Sequence, residues 1–259
     1  MAQSTHQKSL ENSLRKEGKD FIFRNVPSAG EVIPEVRLLR DLLDGGRYKT
    51  HNGWRVHCRE HPEAGTILTS EMTYQLARRL YALRDVSDST VQQARDSCLA
   101  LLCKNYIRNY LHTGTKITYQ QGLNAVVNHL EPQGKERTIQ LEIPEFTCYD
   151  DDWSYLVLAK EQPENALGIV KDIPASTRPI LKTLFGEGYE QAGAVWQYVT
   201  TKTNGNLREV RLWTPTARNR DIELCVVFGV DGINDGFYIG ADVRSSDSRP
   251  ARGWVDNSK

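Results

Sequence analysis

Three groups of residues in this 259-residue chain have the types and spacing that chemistry requires. The first is a row of cations, amides and aromatics. Lys104 and Arg108 stand four residues apart, as do Asn105 and Asn109, and Tyr106 and Tyr110, so on a helix each pair shares a face. Cations of this kind contact phosphates, amides read base edges, and tyrosines stack on bases. Arg78, Arg79, Arg95 and Lys116 extend the positive field, and no Asp or Glu occurs between Ser97 and Leu130. These ten residues are the candidate nucleic-acid-binding set. The second group, His51, His57, Cys58 and His61, supplies four donors of the sort zinc takes. On a strand the adjacent His57 and Cys58 point to opposite faces, and no second cluster completes the set, so no resident metal or other cofactor is expected.

The third group is Asp221 with Asp242-Val243-Arg244. A D…D-x-R arrangement on two neighbouring strands resembles the PD-(D/E)XK nuclease pattern. The resemblance covers those three positions and implies a Mg²⁺ held by Asp221 and Asp242 at a scissile phosphate, with Arg244 as the adjoining cation. Arg244 stands where that family carries Lys, and Asp231 is an alternative first acid. Elsewhere no Walker A loop, dinucleotide fingerprint, nucleophile elbow or H-E-x-x-H motif occurs. The triplet Asp150-Asp151-Asp152 is read as the start of the following segment, since hard-cation sites need acids spaced so that they converge.

Composition bounds the classes open to the chain. A hydrophobic content of 39%, a charged content of 25% and a mean hydropathy of −0.54 describe a soluble globular protein with no window apolar enough to span a membrane. Net charge is zero, but unevenly so. Residues 1–130 hold 18 Lys and Arg against 13 Asp and Glu, a balance of +5, and the remainder carries −5. Five dispersed cysteines without a C-x-x-C pair fit reduced thiols and a cytoplasmic setting.

The elements that must position these groups follow from periodicity and punctuation. Pro34 to Leu43 has a helical stripe that Asp44-Gly45-Gly46 ends, and Arg47–Cys58 is expected as a hairpin turning at Asn52-Gly53. Met72, Leu76, Leu80 and Leu83 predict a helix over 70–84. Ser89 with Gln92 predicts a capping box for a second helix reaching Leu111, and Thr118 with Gln121 a third toward Leu130. Residues 131–136 are polar and broken by Pro and Gly, the composition of a linker. Beyond them lie a strand through Ile139, Leu141 and Ile143, and a helix that Ser176 or Thr177 begins, that contains Ile180, Leu181, Leu184 and Phe185, and that Gly186 and Gly188 close. An antiparallel β-meander is expected last: Val195–Thr201, the Asn204-Gly205 turn, Leu207–Trp213, Ile222–Val230 and Phe237–Val243. The C-terminal Arg249, Arg252 and Trp254 are read as a basic, frayed tail.

The expected fold is therefore α+β. A mainly helical basic region with a small hairpin (residues 1–130) precedes an antiparallel sheet carrying one or two helices (residues 137–259). The function expected is a non-enzymatic nucleic-acid-associated protein using the helix pair. A divergent Mg²⁺-dependent nuclease and an assembly subunit that binds another protein without chemistry are the alternatives.

Overall fold

The described residues open in strands. A computed structural model describes residues 12–108, 110–120, 124–132, 135–142, 148–150, 153–161, 167–169, 178–201, 209–215, 222–231, 236–244 and 247–256. Strands β1 (Leu14–Glu17), β2 (Asp20–Ser28) and β3 (Glu31–Leu42) form two successive hairpins. The leucine-rich segment after Pro34 is thus extended and not helical. Val36 and Leu38 are buried on either side of a half-buried Arg37, a period of two that Leu39, Leu42 and Leu43 disguise as a helical stripe. The β2–β3 turn places Ala29 and Gly30 at φ of 56° and 80°, the two-residue geometry that follows strand twist.

Helix α1 (His51–Glu60) stands where a hairpin was expected at Asn52-Gly53. Thr50 caps it by accepting the Gly53 N–H at 3.1 Å, and His51, Trp54 and Cys58 turn inward at spacings of three and four. After β4 (Thr66–Ile67) comes the expected helix pair, α2 (Ser70–Ala82) and α3 (Ser89–Arg108). Each is capped by the residue just before its first, Thr69 and Asp88, the latter one residue earlier than the expected Ser89. Thr69 accepts from Met72 at 3.0 Å, and Asp88 accepts from Thr90 and Val91 at 2.8 and 3.0 Å. Gln92 donates to the Val86 carbonyl (2.7 Å), so no capping box forms.

No third helix follows. β5 (Leu111–Tyr119) and β6 (Asn124–Leu130) bury Ile117, Tyr119, Ala125 and Val127 at alternate positions, a strand period that the cap-like Thr118 and Gln121 had obscured. Residues 131–136 connect β6 to its antiparallel partner β7 (Glu136–Glu142), so the linker-like stretch is a hairpin connection. β8 (Cys148–Asp150) pairs antiparallel with β9 (Trp153–Glu161), Asp150 opposite Trp153, and Asp151 and Asp152 lie outside the described residues. β10 (Leu167–Ile169) and α4 (Arg178–Phe185) come next. Residues read as the first meander strand form helix α5 (Ala192–Thr201). Ala192, Val195, Trp196 and Val199 are buried at helical spacing, and Trp196 lies among Tyr74, Phe185, Phe228 and Phe237. Asn204-Gly205 lies outside the described residues. The chain finishes with β11 (Glu209–Pro215), β12 (Ile222–Asp231), β13 (Gly236–Arg244) and β14 (Arg252–Asp256).

These strands make a five-stranded sheet, β1-β2-β3-β14-β4, and a nine-stranded sheet, β10-β9-β11-β13-β12-β5-β6-β7 with β8 on β9. β12 and β13 form the expected antiparallel hairpin, but β11 runs parallel to β13, so the sheet is mixed and no meander exists. The larger sheet draws strands from both sides of residues 131–136. The supposed tail is β14, seated between β3 and β4, with Arg252 and Trp254 2% and 3% exposed. The class is α+β without the helical N-terminal part. Helices α2 and α3 each touch both sheets, α2 through β2 and β5, α3 through β1 and β12.

Nine of the thirteen residues of α2 are buried, including Ser70, Glu71, Thr73 and Gln75. Gly186, at φ +70°, closes α4 against this helix, and a Cβ there would lie 2.4 Å from Glu71 Oε1. Gly186→Ala combines that overlap with a left-handed backbone, and should lower unfolding stability by about 2–3 kcal/mol. Urea denaturation followed by circular dichroism measures it.

Candidate functional site

The concavity of interest is a cleft of about 720 Å³ between the β1–β3 hairpins and one face of α3. From α3 come Ser97, Ala100, Leu101 and Lys104, at spacings of three, one and three, which place them on a single face. Opposite stand Lys16 of β1, Lys19 of the β1–β2 turn, and Arg40 and Asp41 of β3. Lys16, Lys19, Arg40 and Lys104 are all exposed. Asp41 is the one carboxylate of the lining, and it is engaged by Lys19 in an ion pair whose hydrogen bond holds the carboxyl below its ordinary range. The turn Asp44-Gly45-Gly46, at φ of 47°, 63° and 80°, carries the chain away from this wall and leaves two glycines in the lining.

Behind the cleft lies a further cation. Arg252 is 2% exposed, and its Nη1 donates to the carbonyls of Leu39 and Arg40 (2.8 Å to the latter). Its Nε and Nη2 have no partner among the described residues, and burial lowers its pKa from the usual arginine value. Its field adds to that of the four surface cations at short range, where the protein interior screens less than water.

The residues expected to bind nucleic acid do not gather into one patch. Lys104 faces the cleft. Arg78 donates to the Glu187 carbonyl (3.1 Å) and Arg79 to that of Asn25 (2.8 Å). Arg95 is buried against the carbonyls of Leu83 and Arg84 at 2.9 Å each, with Asp96 at its Nε, so it latches the α2–α3 connection. Lys116 pairs with Glu223 of β12 at 3.1 Å. Tyr106 is 4% exposed and packs edge-on to Phe237, which removes it as a stacking platform. Tyr110 packs edge-on to Tyr238, 5.5 Å between centroids. Asn105 and Arg108 lie on α3, their side chains outside the described set, and Asn109 lies outside it altogether.

Among the described residues no three of His, Cys, Asp and Glu converge on a cation site. His51, His57 and Cys58 ride on α1 with His61 at its C-terminal end, and His51 and Cys58 face the core. Asp221 lies outside the described residues. Asp242 and Arg244 are on β13, where Arg244 is opposite Leu224, while the alternative acid Asp231 ends β12 at the far end of that hairpin. A buried Cys225–His112 contact (3.3 Å) has the composition of a nucleophilic dyad. His112 Nε2–H donates to the Asp247 carbonyl (2.8 Å), which leaves Nδ1 to accept from the thiol. Both side chains are sealed, 2% and 0% exposed, and burial lowers the His112 pKa, so the imidazolium that would hold a thiolate is disfavoured.

Lys16 and Lys19 lie in a polar N-terminal stretch that carries no motif, and Arg40 in a segment expected as a helix. The signal for them is Glu17-Gly18-Lys19-Asp20, a hairpin turn with Gly18 at φ 58°. No family model, no curated protein and no solved structure matches this chain. No helix among the described residues is long and apolar enough to cross a membrane.

Two buried histidines set a pH limit on the frame behind the site. Burial, reinforced by neighbouring cations, pushes the imidazoles of His51 and His129 down to about 3. His129 Nε2–H donates to the Thr183 carbonyl (3.1 Å) and Nδ1 accepts from Thr115 (2.9 Å), an arrangement available only to the neutral ring. A pKa depressed in the fold means the unfolded chain binds the proton first. Stability is therefore complete above pH 6.5 and falls toward pH 3, by about 1.4 kcal/mol per pH unit for each ring. Denaturant midpoints measured from pH 7 to pH 4 should fall accordingly, and less steeply in His129→Gln.

Proposed function

We propose that this chain is a non-enzymatic nucleic-acid-associated protein that holds the phosphate backbone in the cleft between α3 and the β1–β3 hairpins. One observation supports the reading above others: four exposed cations and a single, already engaged carboxylate line one concavity. Phosphate contacts of this type supply affinity without sequence preference. The small side chains of Ser97 and Ala100 on the α3 wall let a sugar–phosphate chain approach the helix closely. With Tyr106 in the core, Lys116 paired to Glu223 and Lys19 paired to Asp41, the reading rests on Lys16, Arg40 and Lys104.

Fluorescence anisotropy with single-stranded and duplex 20-mers at 25–300 mM NaCl tests this. Three phosphate contacts, from Lys16, Arg40 and Lys104, give a slope of log K against log salt of about −2.7 on duplex and about −2 on single strands. Lys104→Glu and Arg40→Glu should each weaken binding roughly tenfold at 100 mM salt and flatten the slope by about one unit. Arg59→Glu, on an exposed position of α1 away from the cleft, should change neither. Absence of binding at low salt, or binding with no salt slope, overturns the reading.

A further inference from the structure

Among the described residues, strand β7 is a long, regular sheet edge with no strand on its outer side. Among the described residues, the other three ends of the two sheets are short: β1 has four residues, β4 two and β10 three. β7 has seven, Glu136 to Glu142, without proline, glycine or any register shift against β6. Edges of this length are normally blunted by a bulge, a proline or a covering element, because their free N–H and C=O groups template another strand.

A groove runs beside this edge. Its volume is about 660 Å³, and its walls are β7, the Pro27–Val32 turn and α4. Ile139 and Leu141, half-buried at alternate positions of β7, line it together with Pro179 and Val32, the latter 60% exposed. Such an arrangement, a bare strand edge flanked by a helix with apolar recesses at alternate positions, is the geometry of β-strand addition. The walls are held in place. Arg137 of β7 is ion-paired to the buried Glu71 of α2, and Glu71 also accepts the Ala29 N–H of the turn at 3.1 Å.

We propose that β7 takes up an extended segment of a different polypeptide as a further strand, apolar residues inward and a basic residue outward. The charges select this occupant. The outward positions of β7 are Glu136, Thr138, Gln140 and Glu142. Arg55 holds Glu136 at 3.0 Å, and Glu142 has no ion pair among the described residues, so it is the acid open to an incoming Lys or Arg. A second copy pairing along the whole strand, centred on Ile139, would set Glu136 opposite Glu142 at both ends, and like charges directly opposite destabilise a sheet.

The probe is a fluorescein-labelled peptide of the pattern Val-Lys-Val-Thr-Val-Lys-Val, titrated into the full chain and followed by anisotropy. Saturable binding is expected. Alternate amides of an added strand face the edge, so N-methylation in one alternating frame should weaken binding at least about tenfold, and in the other frame leave it unchanged. Ile139→Lys, with its fold checked by circular dichroism, should remove binding. Glu142→Lys should weaken it, and weaken it less at high salt. The proposal is overturned by the absence of binding, by equal effects of both N-methyl frames, or by light scattering that shows β7 occupied in a dimer of this chain. None of these outcomes bears on the cationic cleft, which is read by oligonucleotides.

Discussion

A polar group taken from water must find a partner inside the protein, and helix α2 carries four such groups to the centre of this molecule. Ser70 bonds Thr115 of β5 at 2.9 and 3.0 Å. Glu71 binds Ala29 of the β2–β3 turn and Arg137 of β7. The Tyr74 hydroxyl donates to the Gly188 carbonyl at 2.5 Å, and Gln75 donates to the carbonyls of Phe185 and Glu187 at 2.7 and 2.8 Å. Each unmade bond would leave a buried group unsatisfied at roughly 1–3 kcal/mol, so the partners cannot drift. A single helix thereby sets the relative positions of both sheets and of α4. His129 continues the same network from Thr115 to Thr183 on α4.

Both surfaces with a functional reading inherit their geometry from this arrangement. The groove beside β7 has walls tied to Glu71, one through Ala29 and the other through Arg137. The cationic cleft depends on α3, which touches β1 and β12 and is latched to the end of α2 by Arg95. Arg252 completes the back of that cleft from the last strand of the chain, bonded to two main-chain carbonyls of β3. The charge of this buried arginine acts on the cleft in front of it, where Asp41 already answers part of it.

The errors of sequence reading share a physical origin. Pro34–Leu43 and Val195–Thr201 are short apolar segments in which leucines, or valines and threonines, satisfy both periods, and packing decided between them. Val36 and Leu38 pair with Phe23 and Phe21 across a strand ladder, while Trp196 anchors a helix in an aromatic cluster. Local propensity is weak enough for tertiary context to override it in such segments. At Asn52-Gly53 a strong turn signal yielded to Thr50 capping a helix whose His51, Trp54 and Cys58 are all buried.

By itself the sequence determined the long elements with one dominant period or one clear stop: α2, α3, α4 and the β12–β13 hairpin. Their apolar residues follow one dominant period, which local physics decides even though the caps of α2 and α3 fall one residue before Ser70 and Ser89. It also determined that the stretch after Ser97 is free of acids. The tertiary structure alone decided where the cations of that stretch point. It sent Lys116 to Glu223 and Tyr106 to the core, and brought Lys104 to Lys16, Lys19 and Arg40, more than sixty residues away in the chain. Charge convergence and an open sheet edge both depend on which distant strands become neighbours, and no local pattern carries that information.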